Sequence, residues 1–293
     1  MRYRLVSFQS WLLVGFLCWC TAGCVADVRR WREPDTRMTD QTAHVLPEGR
    51  IEIGAGLVGT RLENLGLSLP VRYGVTDEVE VSSNVGHLAL GILNVQAEWA
   101  FYERKNVAFA LRGGVSWLNP EFFWWIPTDW RDALADVVEI VLVPVEFMAT
   151  LPVTSHLDTT LTLGYTHAAA LGNVRVDSAH AEGQFGTRDL SVGASFTYIL
   201  SPWIAVNLGA KIPLWAASHV NALGESELAP GVVLGVVTNE LIEHDISGLY
   251  TVELSVMAMR GDAWLRAGLI QNYRFITGTV PFPIPSVDAA WRF

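Results

Sequence analysis

Leu65-Gly66-Leu67-Ser68-Leu69-Pro70-Val71-Arg72-Tyr73-Gly74-Val75 puts an apolar residue at every odd position and a small, polar, charged or proline residue at every even one. A helix sorts residues with a period of 3.6, so a strict period of two predicts a strand with two unlike faces. The same alternation recurs at 51–54, 79–82, 93–99, 107–112, 145–148, 161–166, 190–198, 204–209, 250–256, 265–269 and 287–293. With 65–75 this makes twelve strands, and the fold class is all-β. Segment 229–243 can hold an extra strand or a short helix, which leaves counts of 10–14 open.

Soluble sandwiches also alternate, so the composition of the faces has to decide. One face carries charges in mid-strand among Gly, Ser and Thr, while the other is rich in Leu, Val, Phe, Trp and Tyr. An apolar outside around a polar inside describes an antiparallel up-and-down transmembrane β-barrel. Tyr73, Trp99, Phe101, Trp117, Tyr165, Tyr198, Trp203 and Trp291 fall near strand ends, where an interfacial girdle belongs. The connections test the idea independently. Those at 76–78, 103–106, 155–158, 201–203 and 260–262 are tight, whereas 118–144, 171–187 and 215–247 are long, an alternation expected of short periplasmic turns and external loops.

Over 50–293 the chain resembles the bacterial outer-membrane β-barrels. The most specific feature is the last strand, whose outward residues Val287, Ala289 and Trp291 lead to a terminal aromatic, Phe293. The resemblance implies that these four residues form the assembly signal read by the barrel-assembly machinery. It also implies an outer-membrane location with membrane lipid as a partner.

Residues 1–24 read as a signal peptide. Arg2 and Arg4 precede an apolar run from Trp11 to Leu17, and small residues follow with no acid anywhere. Its end, Thr21-Ala22-Gly23-Cys24, resembles a lipoprotein lipobox, which implies lipidation of Cys24, with Thr21 in place of the usual Leu. Cleavage after Ala26 is the alternative. All three cysteines lie within 1–24, so the exported domain holds no disulfide and no thiolate metal site. Segment 25–49 is charged, contains Pro34 and Pro47 and has no apolar period, so it is expected to be a periplasmic tether before a barrel spanning 50–293.

The 293-residue chain is 51% hydrophobic with a formal charge of −10, which excludes a disordered chain and argues against a nucleic-acid partner. Sorting strand charges by parity places Arg50, Arg72, Arg112, Lys211, Arg266 and Arg292 on the inward face with Glu52, Glu80, Glu98, Glu146, Glu253 and Asp288. Such residues either form a selective constriction or fill a narrow lumen with ion pairs. The long connections are acidic, so they would concentrate cations at the mouth. Loop 118–144 carries Phe122, Phe123, Trp124 and Trp125, then Trp130, Leu134, Val137, Val138 and Val141 at helical spacing, which predicts a helix that plugs the mouth or lies in the membrane interface, with extended packing over the barrel rim as the alternative. Histidines 87, 167, 180, 219 and 244 fall toward the outer side without a ligand spacing, so no metal site is assigned. Ser83 and His167 face outward but four strands apart, which disfavours an outer-membrane lipid hydrolase, and no cofactor is expected. The sequence therefore points to a partly occluded channel for cations or small solutes, or else to a non-conducting surface scaffold whose barrel is only an anchor.

Overall fold

The computed structural model describes residues 31, 37, 41–57, 67–89, 91–104, 107–118, 139–176, 179–229, 232–243, 250–272 and 283–293. From Leu67 on, the alternating stretch forms two pieces of one wall strand, β2 (Leu67–Ser68) and β3 (Pro70–Thr76), both antiparallel to β1 (Ile51–Leu57). Then come β4 (Val79–Asn84), a five-residue helix α1 (Val85–Ala89), β5 (Ile92–Arg104), β6 (Val107–Leu118), β7 (Glu139–Pro152), β8 (Leu157–Val176) and β9 (Ala179–Ser201). The last strands are β10 (Ile204–Ala229), β11 (Val232–Glu243), β12 (Thr251–Arg260), β13 (Ala263–Asn272) and β14 (Ile284–Arg292).

Each wall strand pairs antiparallel with the next, β10 passes to β12, and β14 returns to β1 from Glu52↔Arg292 to Leu57↔Val287. The ring is a closed barrel of 12 strands, matching the twelve alternating segments. β11 is the extra strand foreseen at 229–243. It pairs with the far half of β10 and stays out of the wall, so it does not change the count.

Burial follows the alternation. On β1, Ile51, Ile53 and Leu57 are exposed while Glu52, Gly54 and Gly56 are buried; on β12, Leu254 and Val256 are exposed while Glu253, Ser255 and Met257 are buried. A folded chain that buries its carboxylates and exposes its leucines is turned inside out relative to a water-soluble domain, and this suits strands surrounded by hydrocarbon. Aromatic rings gather on the outward face near the short turns. Trp99 and Phe101 have ring centroids 5.5 Å apart, and Phe109 and Phe147 5.9 Å.

Two of the expected loops are corrected. Segment 171–187 is the continuation of β8 and β9, paired as far as Val176↔Ala179, and most of 215–247 is the hairpin of β10 and β11. Once strands rise beyond the membrane, water replaces lipid and their outer face need not be apolar, so the ladder continues where the alternation fades. At 118–144, β6 ends at Leu118 and β7 begins at Glu139, so Val141, counted on the expected helical face, is a strand residue; the rest of that helix falls on 119–138, outside the described residues, as does 1–24.

The tether expected at 25–49 is corrected too. Its described residues, Trp31, Arg37 and 41–49, lie against inward-facing wall residues. Trp31 packs with Ile199, Ala205, Met257 and Met259, and Ala43 and Val45 pack with Ala100, Ala108, Ala110 and Met148. The segment shows no apolar period because at 41–49 it forms neither strand nor helix.

Candidate functional site

The inward charges form connected networks. Glu52 on β1 accepts from Arg72 Nη1 at 3.1 Å, Arg292 Nε at 2.7 Å and Trp264 Nε1 at 3.1 Å, while Arg72 Nε also donates to Glu80 at 2.6 Å. One strand further round, Arg112 Nε donates to Glu98 at 2.7 Å, and Arg112 Nη1 lies 3.5 Å from Glu146. Lys211 reaches Glu146 from β10 at 3.4 Å, skipping the two strands between. Arg266 and Asp288 form a cross-strand pair at 2.9 Å. Glu253 accepts from Ser255 Oγ at 3.2 Å and Gln41 Nε2 at 3.5 Å.

Strand register explains these partners. Arg72 lies opposite Glu52, Glu98 opposite Arg112, and Arg112 opposite Glu146, so side chains of opposite sign are cross-strand neighbours on the inner face. Glu80 and Glu98 are also directly opposite, both about 97% buried, and this like-charge pair is tolerated because Arg72 and Arg112 flank it. Beside them is a polar cavity of about 60 Å³, lined by Ser82, Asn84, Asn94 and Gln96 among others, with room for a few waters. Burying such ions is costly unless each is paired, so the pairing is a condition of the fold whatever passes through.

The second part of the site is the N-terminal segment at the short-turn end. Trp31 Nε1 donates to the carbonyl of Ser201 at 2.9 Å, and Arg37 forms an ion pair with Glu103, its Nη2 lying 3.1 Å from Oε2. His44 Nδ1 is 3.5 Å from the same carboxylate. The backbone N–H groups of Ala43, Leu46 and Glu48 donate to Thr150 Oγ1 (2.8 Å), Glu80 Oε2 (3.0 Å) and Asp77 Oδ1 (3.0 Å). These partners sit at the short-turn end of β9, on β5, on β7, on β4 and in the β3–β4 turn, so the segment crosses the lumen from wall to wall. Gly74 makes its close passage possible: a Cβ there would stand 2.6 Å from the carbonyl oxygen of Leu46 and closer still to that of Pro47. Gly49, at φ 77°, then turns the chain into β1.

Of the sequence-predicted lumen residues, Arg72, Glu80, Glu98, Arg112, Glu146 and Lys211 are drawn into the two main networks, Arg266 and Asp288 pair across β13 and β14, and Glu253 accepts from Ser255 and Gln41. Val287, Trp291 and Phe293 are exposed on the outward face, and Ala289 is half-buried. His87 is buried in α1, and His167 and His219 stand on the outward face of β8 and β10; the side chain of His180 and the whole of His244 lie outside the described residues. Ser83 on β4 donates to the Asn94 carbonyl at 2.7 Å and is remote from His167 on β8. Sequence reasoning missed the segment residues Trp31, Arg37, His44, Val45 and Leu46 and their anchors Glu103 and Thr150. One signal was present: a tryptophan and a Val-Leu pair have no purpose in a solvated tether.

No protein-family model matches the chain, and no curated protein does. Among solved structures it is similar to a deltaS2S3 mutant of the TodX monoaromatic hydrocarbon channel (10% identity, 84% of this chain and 68% of that one, TM-score 0.43). It is also similar to the Pseudomonas putida toluene transporter TodX (9%, 84% and 89%, TM-score 0.36) and to a major outer membrane protein from Thermus thermophilus (10%, 83% and 99%, TM-score 0.30). With a closed antiparallel ring, an apolar outward face, a charged inward face and short turns gathered at one end, the chain has the architecture of a bacterial outer-membrane β-barrel.

Proposed function

We propose that the protein is an outer-membrane channel for cations or small solutes, closed at its short-turn end by its own N-terminal segment. The observation that carries this reading is the path of residues 31–49, whose described members bond to inward groups on opposite walls. A ring of 12 strands is wider than the eight-stranded barrels that side chains alone can fill, so its interior needs an occupant or stays wet. The described residues of this occupant meet the wall through hydrogen bonds, the Arg37–Glu103 ion pair and two apolar clusters, with no covalent link to it apart from the chain's own entry into β1. The preference for cations rests on the acidic surplus, 30 Asp and Glu against 20 Lys and Arg, much of it in 118–144, 171–187 and 215–247, toward the end away from the short turns.

The second reading, a non-conducting scaffold, is favoured by the mutual pairing of the lumen charges. Conductance in planar bilayers separates the two. The intact chain should be nearly silent, whereas a variant lacking 25–48 should give discrete cation-selective steps. Gly74→Val, which collides with the Leu46 and Pro47 carbonyls, should open the intact chain part of the way. Silence from both variants, each shown to be folded by a heat-dependent gel shift, would leave the scaffold.

The lipid anchor at Cys24 belongs to the same proposal. Seven residues of extended chain reach about 24 Å, enough to lead from a lipid-bound Cys24 under the rim to Trp31 inside. Acyl labelling of the wild type, and its loss in Cys24→Ser, is the expected result; equal labelling of both would remove the anchor.

A further inference from the structure

The outward face of the barrel is almost uncharged, and its exception marks a candidate site. From Leu157 on β8 the outward residues run through Leu161, Leu163 and Tyr165, and Tyr165 shares a row with Leu190 on β9 and Trp215 on β10. That span is about 26 Å of strand, which barrel tilt reduces to a height of about 20 Å, so the next row stands at the edge of a lipid-facing band roughly 25 Å tall. The next row toward the long-connection end is polar: His167 is directly opposite Arg188, which is opposite Ala217. One row further, Gly186 is opposite His219.

We propose that Arg188, His167 and His219 form a site for a phosphate-bearing lipid headgroup on the outward face of β8–β10, and that its occupant is the phosphorylated glycolipid of the outer leaflet. The three side chains are adjacent on one face of the sheet, since directly opposite and diagonal neighbours lie within about 8 Å. Gly186 supplies the floor: the His167 ring lies over it, with Cε1 3.9 Å from where a Cβ would be. Arg188 is exposed and, among the described residues, makes no ion pair, and His167 Nδ1 is buried without a partner. A guanidinium fork beside two imidazoles matches the oxygens of a phosphate, and Tyr165 and Trp215 mark the depth at which headgroups begin. Two carboxylates share this face: Glu243 stands in the row of Arg188 with Ala217 between them and, among the described residues, forms no ion pair with it, and Glu139 is engaged by Trp117 Nε1 at 2.6 Å.

The inference rests on the outer-membrane reading and its orientation, with short turns toward the periplasm. The test uses the full chain folded in detergent, and native mass spectrometry reads lipid retained after incubation with bis-phosphorylated lipid A, dephosphorylated lipid A or phosphatidylglycerol. The wild type should retain the bis-phosphorylated form selectively, and the triple variant Arg188→Gln, His167→Gln, His219→Gln should lose about tenfold in apparent affinity while keeping its heat-dependent gel shift. Equal retention by the variant would overturn the site, as would equal retention of dephosphorylated lipid A. Preference for phosphatidylglycerol would place the row in the other leaflet and overturn the assigned occupant. A wild type with no gel shift would take down the membrane-barrel reading, and this inference with it.

Discussion

At the residue scale, parity alone predicts which side chains enter the lumen, because a period of two leaves each one no choice of face once its neighbours are known. Arg72, Glu98 and Asp288 all face inward as their positions require. Who pairs with whom depends on register and on reach across strands, and neither is visible in a single strand: Lys211 meets Glu146 past two intervening strands, and Trp264 contributes an indole N–H to Glu52 that no charge count includes. Arg72 bridges Glu52 and Glu80, so Arg72→Met leaves two carboxylates short of a partner in a buried setting. It should destabilise the folded barrel by about 3–5 kcal/mol, read as an earlier urea midpoint in the heat-dependent gel shift. A midpoint within error of wild type would mean that water reaches these carboxylates freely.

At the element scale, all twelve wall strands were legible and three lengths were not. β8, β9 and β10 run for 20, 23 and 26 residues, well beyond the 9–11 or so that cross a bilayer. Their far halves pair with each other and with β11, forming an arm whose sequence, rich in Gly and charge, has no reason to alternate. β10 changes partner on the way, from β12 up to Lys211↔Thr251 to β11 from Ala217↔Glu243, and the register shift at Pro213 lies in between. Proline has no N–H to give to a ladder, so it suits the place where one ladder stops and another starts. Because the arm is outside the ring, replacing 217–243 with a short Gly-Ser linker should leave the barrel able to fold and insert. Retention of the gel shift checks this; its loss would show that β11 contributes to the wall's assembly.

At the scale of the whole molecule, the first and last strands meet. Phe293 N donates to the Ile51 carbonyl at 2.8 Å, and Ile51 N donates back at 3.3 Å, so the terminal aromatic sits on the seam. Deleting Phe293 removes this clasp together with the outward aromatic beside Trp291, and should leave the chain in the periplasm, sensitive to protease and without a gel shift. Normal insertion would count against the assembly-signal expectation for 287–293. The occupied lumen was the feature least legible in the sequence, since a segment that forms neither strand nor helix at 41–49 leaves no period to detect. It has a consequence for the order of folding. The seam joins residues about 240 positions apart, the most distant pairing in the ring and the one with the largest loop-closure cost, so it is expected to form late. The segment that crosses the lumen is continuous with β1 and touches strands from both halves of the chain. It therefore has no complete cradle until the ring shuts, and the residues exported first are among the last to reach their native surroundings.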